Sequence, residues 1–465
     1  MVVDYDLAIV GNGEKADLLA MRAARLKARV VLVTDPNILD LEQIQACFAQ
    51  LLRDSSEWQQ TPIAGKTAFA AAIAHLKQEL HPYNRLELLQ ASGVDAILGS
   101  GQFSDRATFT TFAPSQRQLR ARAFAIVVDR LPTLRQIMGL NEIDYLTCEH
   151  LLQLDSVPKR LAVIGGGAID CIVAQTLCRL GHDVTIFTDR THILADLDVE
   201  IARILQAQLE IEGVNIYTAT RITAVAKLDS FQDAYRRASD RTSYQLWAGE
   251  HTSRYEQILL PSWHANHKQS HNYNWANHLN LSQAGVALSS GTGEIRVNDK
   301  LQTTNRRIYI CRQRTDIRTI LANTLFLPTA KVAKQIVPDA IAMQPSSARV
   351  GMTEIEARLS YGQDLFVLQE APQKADPEFC KLLCRRNGKI VGAHAVGSNA
   401  SELIETVAIA MHAKLNVYQL GRMADASSGT ITQLAAQLDR QIYSRSIGRQ
   451  AWLEKWFNWR RQWNI

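Results

Sequence analysis

The sequence predicts an α/β chain with two Rossmann-like dinucleotide-binding domains followed by an α+β domain, and three stretches carry that prediction. Arg160 to Asp189 reads as a short apolar strand, a turn of three glycines (Gly165, Gly166, Gly167), a helix and a second strand over 184–187. In such a βαβ unit the glycines let the backbone approach a pyrophosphate at the helix N-terminus. Tyr5 to Asp35 repeats the pattern around Gly11 and Gly13, and two units in one chain are far more specific than one. From Ser347 onward, separate strands and then a long helix replace the βαβ pattern.

Both glycine turns depart from the usual fingerprint in the same places. The third glycine position holds Ala16 in the first turn and Asp170 in the second. Where the second strand should end in a ribose-binding acid stand Thr34 and Thr188. Asp35 and Asp189 follow one residue later, which period-two alternation places on the wrong side of the strand.

Between these landmarks the chain reads in order. Residues 39–53 and 66–80 read as helices, and 95–98, 108–112 and 124–128 as strands, the last returning to the first sheet. A connector over 133–158 ends at Val157-Pro158, where the second unit begins. That domain continues through a helix over 198–212, a strand over 215–217 and a polar hairpin with variable loops over 230–254. Residues 257–310 read as strands returning to the first domain, closing over 307–311. The last domain shows strands over 364–369, 379–385 and 389–396 and a helix over 400–413.

Composition sets bounds. A chain of 465 residues allows two to four domains with large cores, and 46% hydrophobic with 21% charged residues is an ordinary globular balance. A net charge of +5 is too mild to argue for nucleic acid. No apolar run reaches the roughly 18 residues of a membrane span, and Asp4 and Asp6 precede the first strand with no basic leader, so neither a spanning helix nor a signal peptide is expected. The seven cysteines include no CxxC pair, and reduced, buried thiols in a cytoplasmic protein are the simplest account.

The order of elements resembles the flavoprotein disulfide reductase family, which includes dihydrolipoamide dehydrogenase, glutathione reductase and mercuric reductase. Beyond the two glycine turns, the resemblance rests on Gly99-Ser-Gly-Gln-Phe103, Val157-Pro-Lys-Arg-Leu161, Leu301-Gln-Thr-Thr-Asn305, Val350-Gly-Met-Thr-Glu354 and Gly392-Ala-His-Ala-Val-Gly397 with Ala400 and Glu402. It implies an FAD-type domain over 1–155 and 257–340, an inserted NAD(P)-type domain over 156–256 and a dimerisation domain over 341–440. It also implies a homodimer. The cofactor-binding positions it points to are Gly11, Gly13, Lys15, Ala16, Asp35, Gly99, Gly101, Gly165 and Gly167.

The residues that carry the family's reaction do not carry over. Disulfide exchange needs a cysteine pair in the helix after the first unit. Residues 35–53 offer only Cys47, on an apolar face with Ile44 and Leu51, which reads as a packed core thiol. Cys380 and Cys384 lie too far apart along a strand to bond. Ser428 stands for the family's catalytic His and Gln433 for its Glu, so the acid–base pair is missing and no catalytic residue is assigned. For FAD, the acidic hook has become Thr34. The family's ATG turn has become Val127-Val128-Asp129, and its Gly-Asp pair has become Arg312-Gln313. Each lost hydrogen bond weakens binding by roughly 0.5–1.5 kcal/mol. FAD, where kept, is expected to rest on Gly11, Gly13 and altered contacts, with Lys15 offsetting Glu14. Asp170, and Ile172 in place of a helical Glu, speak against NAD(P)H.

Two features stand outside the resemblance. His264, His267, His271 and His278 have zinc-like spacing but no acidic or thiol companion, so they read as a polar loop and no metal is expected. The C-terminal residues 441–465 read as an amphipathic helix with Trp452, Trp456, Trp459 and Trp463 on one stripe and arginines and lysines opposite. Such a helix suits a membrane surface or a groove on a protein partner. These losses favour a non-catalytic homodimeric scaffold or adaptor held to a membrane or complex by the tail. The rival reading is an FAD-dependent oxidoreductase that passes electrons to a quinone or protein acceptor without a cysteine pair.

Overall fold

The computed structural model describes residues 3–35, 41–58, 82–112, 116–127, 137–151, 157–228, 243–249, 251–260, 278–289, 295–332, 336–370, 379–422 and 455–461. The chain divides into two compact units, one of residues 1–191 and 212–335, the other of residues 192–211 and 336–465.

The first unit opens with strand β1 (Tyr5–Val10), helix α1 (Gly13–Arg25) and strand β2 (Val30–Thr34). Helix α2 (Leu41–Trp58), helix α3 (Pro82–Ala91) and strand β3 (Val94–Leu98) follow. Strands β4 (Gly101–Phe103), β5 (Thr108–Thr111) and β6 (Gln118–Val127) complete this part of the sheet. The parallel order is β3-β2-β1-β6, with β5 and β4 added antiparallel to the start of β6. Strand β6, expected over 124–128, begins at Gln118. The continuous apolar runs of β1 and β2 are buried from Leu7 to Val10 and from Val30 to Val33, as a parallel sheet covered on both faces requires. Ala16, Leu19, Ala20 and Ala23 form the buried stripe of α1.

The second βαβ unit comprises β7 (Arg160–Ile164), α4 (Ala168–Arg179) and β8 (Asp183–Phe187). Helix α5 (Val199–Glu212) and strand β9 (Asn215–Tyr217) come next. Strands β10 (Ile222–Leu228), β11 (Ser243–Ala248) and β12 (His251–Tyr255) form an antiparallel sheet. Strand β13 (Gln257–Leu259) pairs in parallel with β7, giving the order β13-β7-β8-β9. The return to the first sheet, expected from residue 257, comes at β14 (Ile308–Cys311), which pairs in parallel with β6 and leads into α6 (Asp316–Leu325). The helix expected over 66–80 and part of the hairpin expected over 230–254 lie outside the described residues.

In the second unit, β15 (Asp339–Ile341) and β16 (Ser347–Gly351) precede helix α7 (Glu354–Tyr361). Strands β17 (Leu365–Glu370), β18 (Phe379–Arg385) and β19 (Ile390–Val396) and helix α8 (Ala400–His412) follow. The antiparallel order is β15-β16-β19-β18-β17. Ala400, Ile404, Val407 and Ala408 of α8 pack in one core with Cys380, Leu382, Cys384, Ala393 and Ala395. This unit also contains a charged cluster. The Lys381 side chain is wholly buried, and its Nζ lies 2.6 Å from Glu354, 2.7 Å from Glu200 and 3.5 Å from Asp198. His394, paired with Lys381 across the strands, places Nε2 2.9 Å from the Met352 carbonyl and 3.4 Å from Asp198.

Candidate functional site

The first glycine turn borders an open cleft. Val10, Gly11, Asn12, Val33, Asp35, Gly99, Ser100, Gly101, His278 and Leu279 line it, with an empty volume of about 320 Å³. It is a shallow, solvent-open groove rather than an enclosed pocket. Gly11 has φ +148°, and a Cβ there would lie 2.4 Å from the Val127 carbonyl oxygen, so only glycine lets β1 and β6 meet at this point. The Asn12 Oδ1 accepts hydrogen bonds from the Thr34 hydroxyl at 2.6 Å and the Asp35 N–H at 2.8 Å. This tie carries the chain past the end of β2 and puts Asp35 on the cleft wall. Asp35 does not fall on the wrong side, as alternation predicts, because the strand ends at Thr34.

The structure brings Gly11, Asp35, Gly99 and Gly101 to one cleft. Gly13 starts α1 beside it, and Ala16 is buried beneath. Gly101 also answers to packing, because a Cβ there would lie 2.5 Å from the Phe109 ring and the Thr110 carbonyl oxygen. Lys15 is buried and does not line the cleft. Arg314, 3.0 Å from Glu14, supplies the countercharge that the sequence assigned to Lys15. Three contributors went unread: Asn12, His278, and Arg85, which grips α1 through Asp17 at 2.6 Å and the Gly13 carbonyl. The N-cap preference of Asn was the one available signal.

The second turn has the same backbone but a different content. Gly165 N–H donates to the Phe187 carbonyl at 3.0 Å, as Gly11 N–H donates to the Val33 carbonyl at 3.1 Å. Asp170, 2% exposed, folds back over its own helix terminus, and its Oδ2 accepts the Gly167 N–H at 2.9 Å. A Cβ on Gly165 would lie 2.2 Å from that same oxygen. Gly165 and Gly167, expected to cradle a cofactor, instead accommodate a carboxylate of this chain. A helix N-terminus favours a nearby anion. A second negative charge about 4 Å from the first is repelled by roughly 4 kcal/mol at an effective dielectric of about 20. The residues of the second turn therefore do not fit a pyridine dinucleotide.

The stretch after β14, where the resemblance puts the family's Gly-Asp pair, is also altered. After β14, the N–H groups of Arg312 and Gln313 both donate to Asp316 Oδ2, at 2.9 and 3.0 Å. Cys47 is buried among α2 core residues, and burial pushes its thiol up to about 12, so it carries almost no thiolate at neutral pH. None of the seven cysteines forms a disulfide. Val128, Asp129, His264, His267, His271, Ser428, Gln433, Trp452 and Trp463 lie outside the described residues. Residues 455–461 are helical and exposed, with the Trp456 and Trp459 ring centroids 5.2 Å apart. Among the described residues no helix is long and apolar enough to cross a membrane, and no His, Cys, Asp and Glu cluster could hold a metal.

Two βαβ units with glycine turns, joined to an antiparallel α+β domain, define the class of two-dinucleotide-fold oxidoreductases. Residues 5–254 match the family described as pyridine nucleotide-disulphide oxidoreductase and residues 337–426 match its dimerisation domain, so the chain belongs to that family. It is 26% identical to a mercuric reductase of Staphylococcus aureus, over 90% of this chain and 79% of that protein. It is 28% identical to a dihydrolipoyl dehydrogenase of Bacillus subtilis, over 58% of each chain. In fold it is similar to the HOCl-induced flavoprotein disulfide reductase RclA of Escherichia coli, with a TM-score of 0.71, 21% identity and coverage of 92% of this chain and 98% of that one.

These relatives correct the expectation of a non-catalytic scaffold. The mercuric reductases it matches are enzymes aligned over most of their length, and nothing in the match marks a decayed copy. Loss of the thiol relay and its base is not the loss of all electron transfer. Those residues serve disulfide exchange, and a flavin can exchange electrons without them. The dimerisation domain supports a homodimer.

Proposed function

We propose that this protein is an FAD-dependent oxidoreductase that passes electrons to a quinone or protein acceptor without a cysteine pair. The observation that carries this reading is the cleft at the first glycine turn, which has its acid and its glycines in place and the small Ala16 where the second turn has Asp170. Gly11, Gly13 and the N-terminus of α1 would receive the diphosphate, and Asp35 the ribose hydroxyls. Gly99, Ser100, Gly101 and His278 would wall the adenosine. The bound flavin supplies the two-electron chemistry; the chain supplies binding and exclusion of the thiol route, because Cys47 is buried and protonated.

The test is the visible absorbance of the full-length protein as purified, with the released cofactor identified after denaturation. Stoichiometric FAD that is reduced and then reoxidised by a quinone analogue or an electron-transfer protein supports the reading. A colourless protein that takes up no FAD on reconstitution overturns it. The exposed Trp456 and Trp459 face supports a docking role for the tail, at a membrane surface or an acceptor protein. Flotation with anionic liposomes, with and without residues 449–465, tests the membrane arm, and unchanged flotation removes it.

A further inference from the structure

We infer that Asp170 is a built-in anion that occupies the pyrophosphate position of the second glycine turn, so that this protein takes no NADH or NADPH there. Three observations converge on it. Asp170 stands where the first turn has Ala16, the buried residue that leaves that terminus open. Its Oδ2 accepts the Gly167 N–H at the N-cap, the donor a dinucleotide phosphate would need. The carboxylate rests against Gly165 in the space that the missing side chain leaves, 2.2 Å from where a Cβ would stand, so the glycine now makes room for Asp170.

Asp170 is 2% exposed and reaches back from the third helical position to the N-cap, so a pyrophosphate could enter only by displacing it from the helix it caps. The fold of the nicotinamide domain is thus kept while its ligand position is filled from within. A donor that reaches the flavin directly would then have to reduce it. This inference does not rest on the flavin reading, because nicotinamide binding is measured whether or not flavin is present.

The experiment titrates NADH and NADPH into the full-length wild-type protein and into Asp170→Gly and Asp170→Asn, following nicotinamide fluorescence and calorimetric heat. Wild type is expected to show no saturable binding. Asp170→Gly should gain it, tighter than wild type by at least about tenfold. Asp170→Asn, which removes the charge and keeps the bulk, should gain less. Saturable binding by wild type that Asp170→Gly leaves unchanged overturns the inference. So does a folded Asp170→Gly, checked by circular dichroism, that binds no better than wild type. Should Asp170→Gly fail to fold, Asp170→Asn decides: gained binding supports the inference, and none refutes it.

Discussion

The two glycine turns have matching register and opposite content. Val10 pairs with Val33 beside the first turn, as Ile164 pairs with Phe187 beside the second. Gly11 and Gly165 adopt φ of +148° and +146°. Two of the positions at which they differ set that content. In the first turn Asn12 reaches across to hold Thr34 and Asp35, and Ala16 leaves the helix terminus open. In the second, Gly166 has no side chain to reach with, Thr188 packs against it, and Asp170 fills the terminus. A Rossmann-like backbone therefore does not by itself say whether a nucleotide binds; on the inference drawn above, the residue at the third fingerprint position does.

The sharpest way to break this comparison is to add one methyl group to each turn. Gly11→Ala meets the Val127 backbone oxygen at 2.4 Å, which cannot move away, and should cost about 3 kcal/mol or more in stability. Gly165→Ala meets a movable carboxylate and should cost less, with part of the loss recovered in the Gly165→Ala, Asp170→Gly double variant. Urea denaturation of the four proteins checks the order. Equal losses at both turns would mean that Asp170 is as rigid as backbone.

Next in size, Ala16→Asp should copy the plug into the first turn. Binding of FAD or ADP should weaken by roughly 100-fold, through a charge facing a phosphate. Calorimetry reads this, and unchanged binding would break the equivalence of the two turns.

Acid limits how far such comparisons can be carried, through the other unit. Burial works against ionising Glu200 and Glu354, yet the Lys381 ammonium outweighs it and holds both carboxyls below their usual range. Burial pushes the His394 imidazole down, against the pull of Asp198. For all three the folded form binds protons less readily than the unfolded form, so their contribution is present at neutral pH and is lost as pH falls. The loss should begin below pH 6.5 with His394 and deepen below pH 4.5 with the two glutamates. Thermal melts from pH 7.5 to 4 in the presence of Lys381→Met as a control should show it. A melting temperature flat across that range would remove the role of the cluster.

The smallest effect is expected at Cys47. Cys47→Ala should leave flavin content and electron transfer unchanged, and thiol reagents should label the wild-type residue only after unfolding. Rapid labelling of the native protein would return a thiol to the mechanism.

Much of the architecture was legible because periodicity and glycine spacing are local. The βαβ units, the strands at 379–385 and the helix from Ala400 fall where the pattern put them. The sequence also identified Asp170 as the disturbing residue, but could not say whether its carboxylate would face the helix–strand junction or the phosphate. That depends on the rotamer the side chain adopts, which the Gly167 N–H, three residues back in the sequence, holds toward the helix terminus. Asp35 was misplaced because alternation was carried one residue beyond the end of a strand. His278 was invisible as a cleft residue because it reaches Asp35 and Gly99 only through tertiary folding.

The Lys381 cluster has a consequence for anyone who would divide this molecule. Two of its three acids, Asp198 and Glu200, come from a short excursion of the chain that begins at His192 and leaves again at Ile211, while Lys381 and Glu354 lie well over a hundred residues downstream. The α+β unit is consequently woven from two strands of sequence rather than one. A fragment cut at residue 336 would leave the ammonium with a single acid, so the piece is expected to fold only when expressed with its borrowed segment, or as part of the whole.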